Sequence, residues 1–587
     1  MPKITRLFDI IRHQQESFPN PKSLNAKVNG QWISTSTEDY IRQGEWMSKG
    51  FLALGLQRGD TVGIISANRP EWNISDLGML QSGIVNVPIY TTLSEQEITF
   101  ILNDCKAKLV LAGDRELYNK IDAVRNKVPT LRDVYTFDSL TGVPHWMEIQ
   151  EKGKAFNSDL NEVMSAVKSD DVATLLYTSG TTGTPKGVML THNNIVSNVL
   201  ASEDLCPVKA GEKALSFLPL CHSYERMLTY LYQFNGISIY YAESMDKIAD
   251  NLRELSPQVF STVPRLLEKV YDRIVDKGKE LKGIKRALFF WSLNLGLKYE
   301  NDGANGFLYE TQLKIANSLV FKKWREALGG NVKVIVSGGA ALQPRLARVF
   351  WAAGIPVLEG YGLTETSPVI AVNNFTKDSV CFGTVGTVIK GVQVKIADDG
   401  EILCKGPNVM KGYFNRPDLT SEVIDNDGWF HTGDIGEMVR NRFLKITDRK
   451  KEIFKTSGGK YVAPQALENK FKESLFIEQI MVVGENRKFP AALIVPDLKH
   501  LQKWYELHHQ QYPGPEKAVQ DPKVIERIQK DLDHYNAEFG QAEQVKKFVL
   551  LQSEWTINSG ELTATLKLRR KIISEKYKSE IESMYAS

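Results

Sequence analysis

The stretch Tyr177–Val188 reads YTSGTTGTPKGV and gathers four Thr, one Ser, three Gly, one Pro and one Lys into twelve residues. Just before it, Asp171-Val172-Ala173-Thr174-Leu175-Leu176 is a short apolar run of the kind that forms a buried strand. After it, Val188-Met189-Leu190 leads to Thr191-His192-Asn193-Asn194, which reads as a helix start. A loop of hydroxyls and backbone N–H groups is therefore expected between a strand and a helix. Glycines let the backbone approach an anion closely, and successive N–H groups form an anion-binding concavity. The hydroxyls of Thr178, Ser179, Thr181 and Thr182 can donate to phosphate oxygens or ligate Mg²⁺. Gly180 and Gly183 supply close approach, and Lys186 adds positive charge. This is the chemistry of a loop for a nucleotide triphosphate tail. A flexible Gly/Thr linker would be the bland alternative, but it fits a lone GxxG better than twelve ordered positions. A Walker A loop needs Gly-Lys followed by Ser or Thr, whereas Lys186 stands between Pro185 and Gly187.

The chain around this loop has 587 residues, above the size at which one core stops growing, so two or more domains are expected. Hydrophobic content of 42% and charged content of 24% are those of a globular protein. A net charge of +3 is too mild to argue for nucleic acid. Five Cys, odd in number and without CxxC, point to a reducing compartment and to small buried hydrophobes rather than a structural metal site. Met1-Pro2-Lys3-Ile4-Thr5-Arg6 carries no apolar h-region and no window holds eighteen consecutive apolar residues. Neither a secretory signal nor a spanning helix is expected, and the location reads as cytoplasmic. Peripheral contact with the inner face of a membrane stays open, as does a homodimer. The most apolar short run, Ala287–Leu293, reads as a core helix face rather than an interfacial segment.

In the first 170 residues, strand patterns at Thr61–Ser66, Gly83–Pro88 and Lys108–Ala112 alternate with helical ones such as Glu95–Asn103. This is the βαβ rhythm of a parallel-rich sheet. The rhythm resumes at Ala214–Phe217, which leads into Leu218-Pro219-Leu220-Cys221-His222-Ser223. His222 falls at a strand end, where open α/β sheets bind ligands; capping the next helix would be its structural role. The strand Val332–Ser337 runs into Gly338-Gly339-Ala340-Ala341, a turn able to lie against a flat base. Val357-Leu358-Glu359 then delivers Gly360-Tyr361-Gly362-Leu363-Thr364-Glu365-Thr366. Tyr361 could stack on adenine, and Glu365 could ligate Mg²⁺, a hard cation that prefers oxygen. Short strands from Gly383 onward read as a small β-subdomain ending in Thr432-Gly433-Asp434, whose carboxylate can accept from vicinal ribose hydroxyls. The charged run Asp448-Arg449-Lys450-Lys451-Glu452 suits a solvated hinge. The remainder reads as a small α/β domain with paired strands at Gln479–Gly484 and Ala491–Val495, and helices from Leu498 and Pro522.

YTSGTTGTPKG, YGLTE, TGD and the DRKKE run, in that order, resemble the signatures of the adenylate-forming (AMP-binding) superfamily. The resemblance covers about Gly50 to Lys571. The segments Leu218–Arg226, Val263–Ile274 and Asp448–Ala463 look most like its long-chain fatty acyl-CoA synthetase branch, in which helical insertions like 275–330 are common. The resemblance implies an α/β fold: a large N-terminal domain, 1–447, of parallel-rich sheets with helices and a small β-subdomain. A small mobile α/β C-terminal domain, 448–587, would follow, hinged at about 448–452. It implies ATP and Mg²⁺, a fatty acid and CoA as substrates, and no nucleic-acid partner. His222 would lie near the acyl pocket and Thr178 and Glu365 at the metal. The nucleotide would meet the 178–186 loop, Gly338–Ala340, Tyr361, Gly362, Thr364, Asp434 and Arg449. Lys451 would be the hinge. The final motif, Leu562-Thr563-Ala564-Thr565-Leu566-Lys567-Leu568-Arg569-Arg570-Lys571, would carry the catalytic lysine. The usual Gly before that lysine is here Leu566, and spacing to Arg569-Arg570 favours Lys567, with Lys571 second. The implied activity is ATP-dependent activation of a long-chain fatty acid and transfer to CoA. Transfer to an acyl carrier protein, or a non-catalytic acyl-nucleotide sensor, are the alternatives.

Overall fold

The computed structural model describes residues 4–179, 185–376, 378–557, 559–563 and 567–586. Two compact units emerge. The first comprises residues 1–395, 403–431 and 440–444, and the second 396–402, 432–439 and 445–587. The strands Glu401–Lys405, Phe430–Val439 and Phe443–Arg449 each run from one unit into the other, so the chain changes unit inside regular structure.

The first unit holds two large sheets. A seven-stranded sheet runs in the order Gly412–Tyr413, Pro185–Thr191, Val172–Ser179, Val85–Ile89, Thr61–Ile65, Leu109–Ala112, Asp133–Thr136. Its last five strands pair in parallel, and Thr61–Ile65 and Val85–Ile89 are buried at every residue, as strands covered by helices on both faces must be. The strand expected from Gly83 starts at Val85, because Gly83, at φ +69°, ends the helix before it.

The nine-stranded sheet is parallel from Leu24–Val28 through Ser238–Tyr241, Lys213–Ser216, Val259–Thr262 and Val334–Ser337 to Val357–Gly362, with antiparallel edges. The insertion 264–327 is helical throughout its regular elements and packs onto this sheet. Tyr271, Phe289, Leu293, Phe321 and Trp324 share one buried cluster with Phe260, Ile335 and Phe350. The run Ala287–Leu293 thus gives the core face read from its sequence.

One expectation is corrected. The Thr/Gly loop does not join a strand to a helix. Val172–Ser179 pairs antiparallel with Pro185–Thr191, Tyr177 opposite Gly187 and Thr178 opposite Lys186. The helix His192–Ser202 begins only after the second strand. Thr191 accepts from the Asn194 N–H at 3.1 Å, so the cap fixes the helix start at His192 and leaves 185–190 to complete a hairpin.

The second unit centres on a three-stranded sheet. Ile477–Val483 runs antiparallel to Ala491–Pro496, and Lys547–Leu550 parallel to it. One face buries Phe471, Leu501, Ile528 and Leu532, the other Trp555, Leu562 and Ile573. Helices begin at Leu498 and Pro522, where Asp497 and Asp521 cap them.

Candidate functional site

In the first unit, segments far apart in sequence meet in a chain of contacts. Val357–Gly362 ends in Tyr361 and Gly362, and a short 3₁₀ turn, Thr364–Thr366, follows. A Cβ at Gly362 would sit 1.7 Å from the Pro368 carbonyl oxygen, so no other residue fits there. The turn brings out Glu365, whose carboxylate accepts from the Tyr413 hydroxyl at 2.9 Å and whose backbone oxygen accepts from the Met410 N–H at 2.8 Å. Lys186 lies over the Tyr413 ring, 5.0 Å from its centroid. Burial and the neighbouring Glu365 push the Tyr413 phenol well above its ordinary pKa, so it stays a donor.

On the other side, the Ser223 hydroxyl donates to Thr364 at 3.4 Å. The Tyr224 ring packs against Gly338, where a Cβ would meet it at 3.2 Å. His222 begins the helix Ser223–Phe234, and its Nδ1 accepts from the Tyr224 N–H at 3.2 Å. Gly339 takes φ +83°, and both it and Ala340 are exposed. The structure therefore gathers Thr178, Lys186, His222, Gly338, Gly339, Thr364 and Glu365 within one unit, with Tyr361 half-buried beside them on its strand. Gly180, Thr181, Thr182 and Gly183, as well as the side chain of Ser179, lie outside the described residues.

Behind this surface is a buried network that sequence reading missed. Glu225 accepts from Ser216 at 2.6 Å and from Ser261, and Asn68 donates to Ser216 at 3.1 Å and to the Leu218 carbonyl at 2.7 Å. Burial outweighs the two hydroxyls and pushes the Glu225 carboxyl up to about 7. Arg226 is 2% exposed and donates to Asp76 at 2.6 Å and to Thr174 at 2.7 Å. Thr174 lies on the strand Val172–Ser179, so one guanidinium ties that strand to the helix Ser223–Phe234. The adjacent Glu-Arg pair at the start of a helix, in a segment already singled out, was the available signal.

The second unit holds the other predicted residues. Asp434, 3% exposed, pairs with Arg449 at 3.1 Å. The Asp434 N–H donates to Thr432 at 3.1 Å, and Gly433 N–H to Glu401 at 2.9 Å. Lys451 is exposed in the turn that follows. Asp448 is buried and pushed up to about 7, although it accepts from the Arg449 N–H at 2.6 Å and the Gln465 N–H at 3.2 Å. Lys567 is exposed. Its backbone pairs with Thr563, whose N–H donates to the Lys567 oxygen at 2.8 Å, and Leu562 bridges Leu568. Arg570, half of the basic pair used to place Lys567, is anchored to Glu452 at 2.8 Å and Glu468 at 2.7 Å. One ion-pair cluster therefore holds both the 448–452 segment and the start of the helix after Lys567.

Among the described residues no group of three or more His, Cys, Asp or Glu gathers to hold a metal. The oxygen donors on hand are the Glu365 carboxylate and the Thr178 hydroxyl. Such a set fits Mg²⁺, which is bound through one or two carboxylates, substrate phosphates and water.

The scaffold is α/β, and at one of its strand ends Glu365 and the hairpin residue Lys186 both meet Tyr413. The adenylation domain of a carboxylate reductase from Mycobacterium chelonae shares this fold at a TM-score of 0.76, with 22% identity over 100% of this chain and 92% of that one. The chain belongs to the AMP-binding enzyme family: its model matches residues 11–414, and that of the AMP-binding enzyme C-terminal domain matches 451–587. It is an adenylate-forming ligase. The long-chain-fatty-acid–CoA ligase FadD15 of Mycobacterium bovis is 34% identical over 98% of this chain and 96% of its own. Long-chain-fatty-acid–CoA ligase 1 of Cavia porcellus is 30% identical over 100% of this chain and 84% of its own.

Proposed function

We propose that the chain activates a long-chain fatty acid with ATP and transfers the acyl group to CoA. A carboxylate oxygen of the fatty acid attacks the α-phosphorus of ATP, and the bond to pyrophosphate breaks. The thiol sulfur of CoA then attacks the acyl carbon, and AMP leaves with the bonding pair. The observation that carries this reading is the meeting of Lys186 and Glu365, from separate segments, at Tyr413. Lys186 and the Thr178 hydroxyl would face the anionic end of the nucleotide. Glu365, held by Tyr413, and Thr178 would hold Mg²⁺, which when bound neutralises phosphate charge. Tyr361 and the Gly338–Ala340 turn would receive the base, and Asp434 with Arg449 the ribose. Lys567 would supply the cation of the first half-reaction, Lys451 the hinge, and His222 the wall beside the acyl carboxylate. The names of the full-length relatives support the long-chain fatty acid and CoA.

The test is fatty-acid-dependent pyrophosphate release across a series of chain lengths, with and without CoA. A CoA-stimulated maximum at long chains is expected. Release indifferent to CoA but stimulated by an acyl carrier protein would replace the acceptor. Binding of ATP and fatty acid without release would make the chain a sensor.

A further inference from the structure

The helix Phe307–Ala316, a π-helical turn, Asn317–Phe321, and the helix Lys322–Ala327 follow one another without a break. Its inner side is core: Leu313, Ala316, Val320, Phe321 and Trp324 are buried. A helix covering a core in this way ordinarily turns polar residues outward. This one does not. Phe307 is 84% exposed, Leu308 79%, Ile315 48% and Leu319 52%. Leu308, Gln312, Ile315 and Leu319 are spaced by four, three and four residues and form one exposed row, with Phe307, Thr311, Lys314 and Ser318 in the row beside it. Exposed apolar residues scattered singly are normal, but several on one row of one helix mark an interaction face.

The charges say what covers it. Lys314, Lys322 and Lys323 are exposed along the same stretch, against the half-exposed Glu310 and the exposed Glu326, which stands 3.9 Å from Lys322. The preceding helix of the insertion opens with Lys282, Lys285 and Arg286, all exposed, around Ile284 at 87%. Apolar side chains bracketed by lysines are the composition of a helix lying in a membrane interface. The apolar groups enter the acyl boundary while the ammonium groups stay among anionic headgroups. A second copy of the chain would bring the same lysines against one another across a two-fold interface, which disfavours self-association. We propose that this outer face, Phe307 to Lys323, docks the protein on an anionic lipid bilayer. Among the described residues no helix is long and apolar enough to cross a membrane, so the contact is peripheral.

The test uses the full chain without substrate, so its outcome is independent of which carboxylate is activated. Cosedimentation is measured with phosphatidylcholine vesicles and with vesicles containing phosphatidylglycerol, at low and high salt. Two triple variants are compared: Leu308→Ser/Ile315→Ser/Leu319→Ser and Lys314→Glu/Lys322→Glu/Lys323→Glu. All six positions are exposed, and a circular-dichroism melt checks that the fold is kept. Wild type should bind anionic vesicles far better than neutral ones, and salt should weaken the binding. The lysine variant should lose roughly 10²-fold and the apolar variant at least about tenfold. No binding to anionic vesicles, or wild-type binding by both variants, overturns the proposal. A concentration-dependent dimer by light scattering that the apolar variant abolishes would assign the face to a second copy and overturn it equally.

Discussion

Glu365 and Lys567 each carry the charge of a sequence motif, yet the molecule holds them differently. Glu365 sits on a turn at the end of a sheet strand, pinned by the Met410 N–H on its backbone and the Tyr413 hydroxyl on its carboxylate. Lys567 has an exposed side chain; what is fixed is the chain on either side of it, where Leu562 bridges Leu568 and Arg570 is locked to Glu452 and Glu468. The difference teaches that the carboxylate is preorganised by its surroundings, while the lysine carries an exposed side chain on a backbone that its neighbours Leu562, Leu568 and Arg570 hold in place. Preorganised donors and acceptors cost no reorganisation when charge develops. A group that serves only one of two half-reactions gains from being presented this way.

The comparison is broken most severely by attacking the support under the first region. Arg226→Met leaves Asp76, 1% exposed, as an uncompensated buried charge, which should cost about 3–5 kcal/mol in denaturant unfolding. A loss below about 1 kcal/mol would mean that this ion pair does not anchor the strand Val172–Ser179. Next comes Lys567→Ala. With its side chain exposed, stability should stay within ~0.5 kcal/mol of wild type. Pyrophosphate release should fall by ~10²–10³, the effect of removing one well-aimed charge donor. Normal release would move the role to Lys571.

What the sequence made legible was whatever is local. Strands such as Ala214–Phe217, the helix starts at Leu498 and Pro522, and the glycine turns all announce themselves within a few residues, because caps, turns and period-two patterns are short-range. The hairpin through Pro185–Thr191 did not, since Val188-Met189-Leu190 is too short for periodicity to separate a strand from a helix entry. Tyr413, Glu225, Arg226 and Arg570 were illegible for another reason: each acts through partners distant in sequence. Tyr413 meets Glu365 across 48 positions, Arg226 meets Asp76 across 150, and Arg570 meets Glu468 across 102. The outer face of the insertion was illegible for a related reason. The most apolar run, Ala287–Leu293, is core, and the exposed apolar row appears only once the inner side of Phe307–Phe321 is known.

The buried Glu225 provides a pH contrast within the first region. Its folded pKa, about 7, lies above the ordinary 4.5, so the native state binds more protons than the unfolded chain between those values. Stability contributed by this group is present below about pH 4.5 and is lost as pH rises through 7. The span is worth about 3 kcal/mol at 1.36 kcal/mol per unit. The facing groups are the neutral Ser216 and Ser261 hydroxyls, so burial sets the direction. In Glu225→Gln, chemical denaturation at pH 5 and 8 should show a decline smaller than that of wild type. An unchanged decline would place the titration elsewhere, with Glu359, pushed up to about 8 by burial, the next candidate.

The smallest expected effect tests the comparison most directly. Tyr413→Phe keeps the ring over which Lys186 lies and deletes only the hydroxyl that holds Glu365. A hydrogen bond to a charged group contributes about 1.5–3 kcal/mol, and the half-exposed Glu365 belongs at the low end. About a tenfold loss in kcat/KM for the adenylation step is therefore expected, with the shape of the chain-length profile unchanged. Because the hydroxyl orients a carboxylate rather than touching substrate, raising Mg²⁺ should restore part of the rate in Tyr413→Phe but none of it in Lys567→Ala. If Mg²⁺ rescues neither variant, Glu365 needs no holding, and the contrast between a pinned carboxylate and a presented lysine fails.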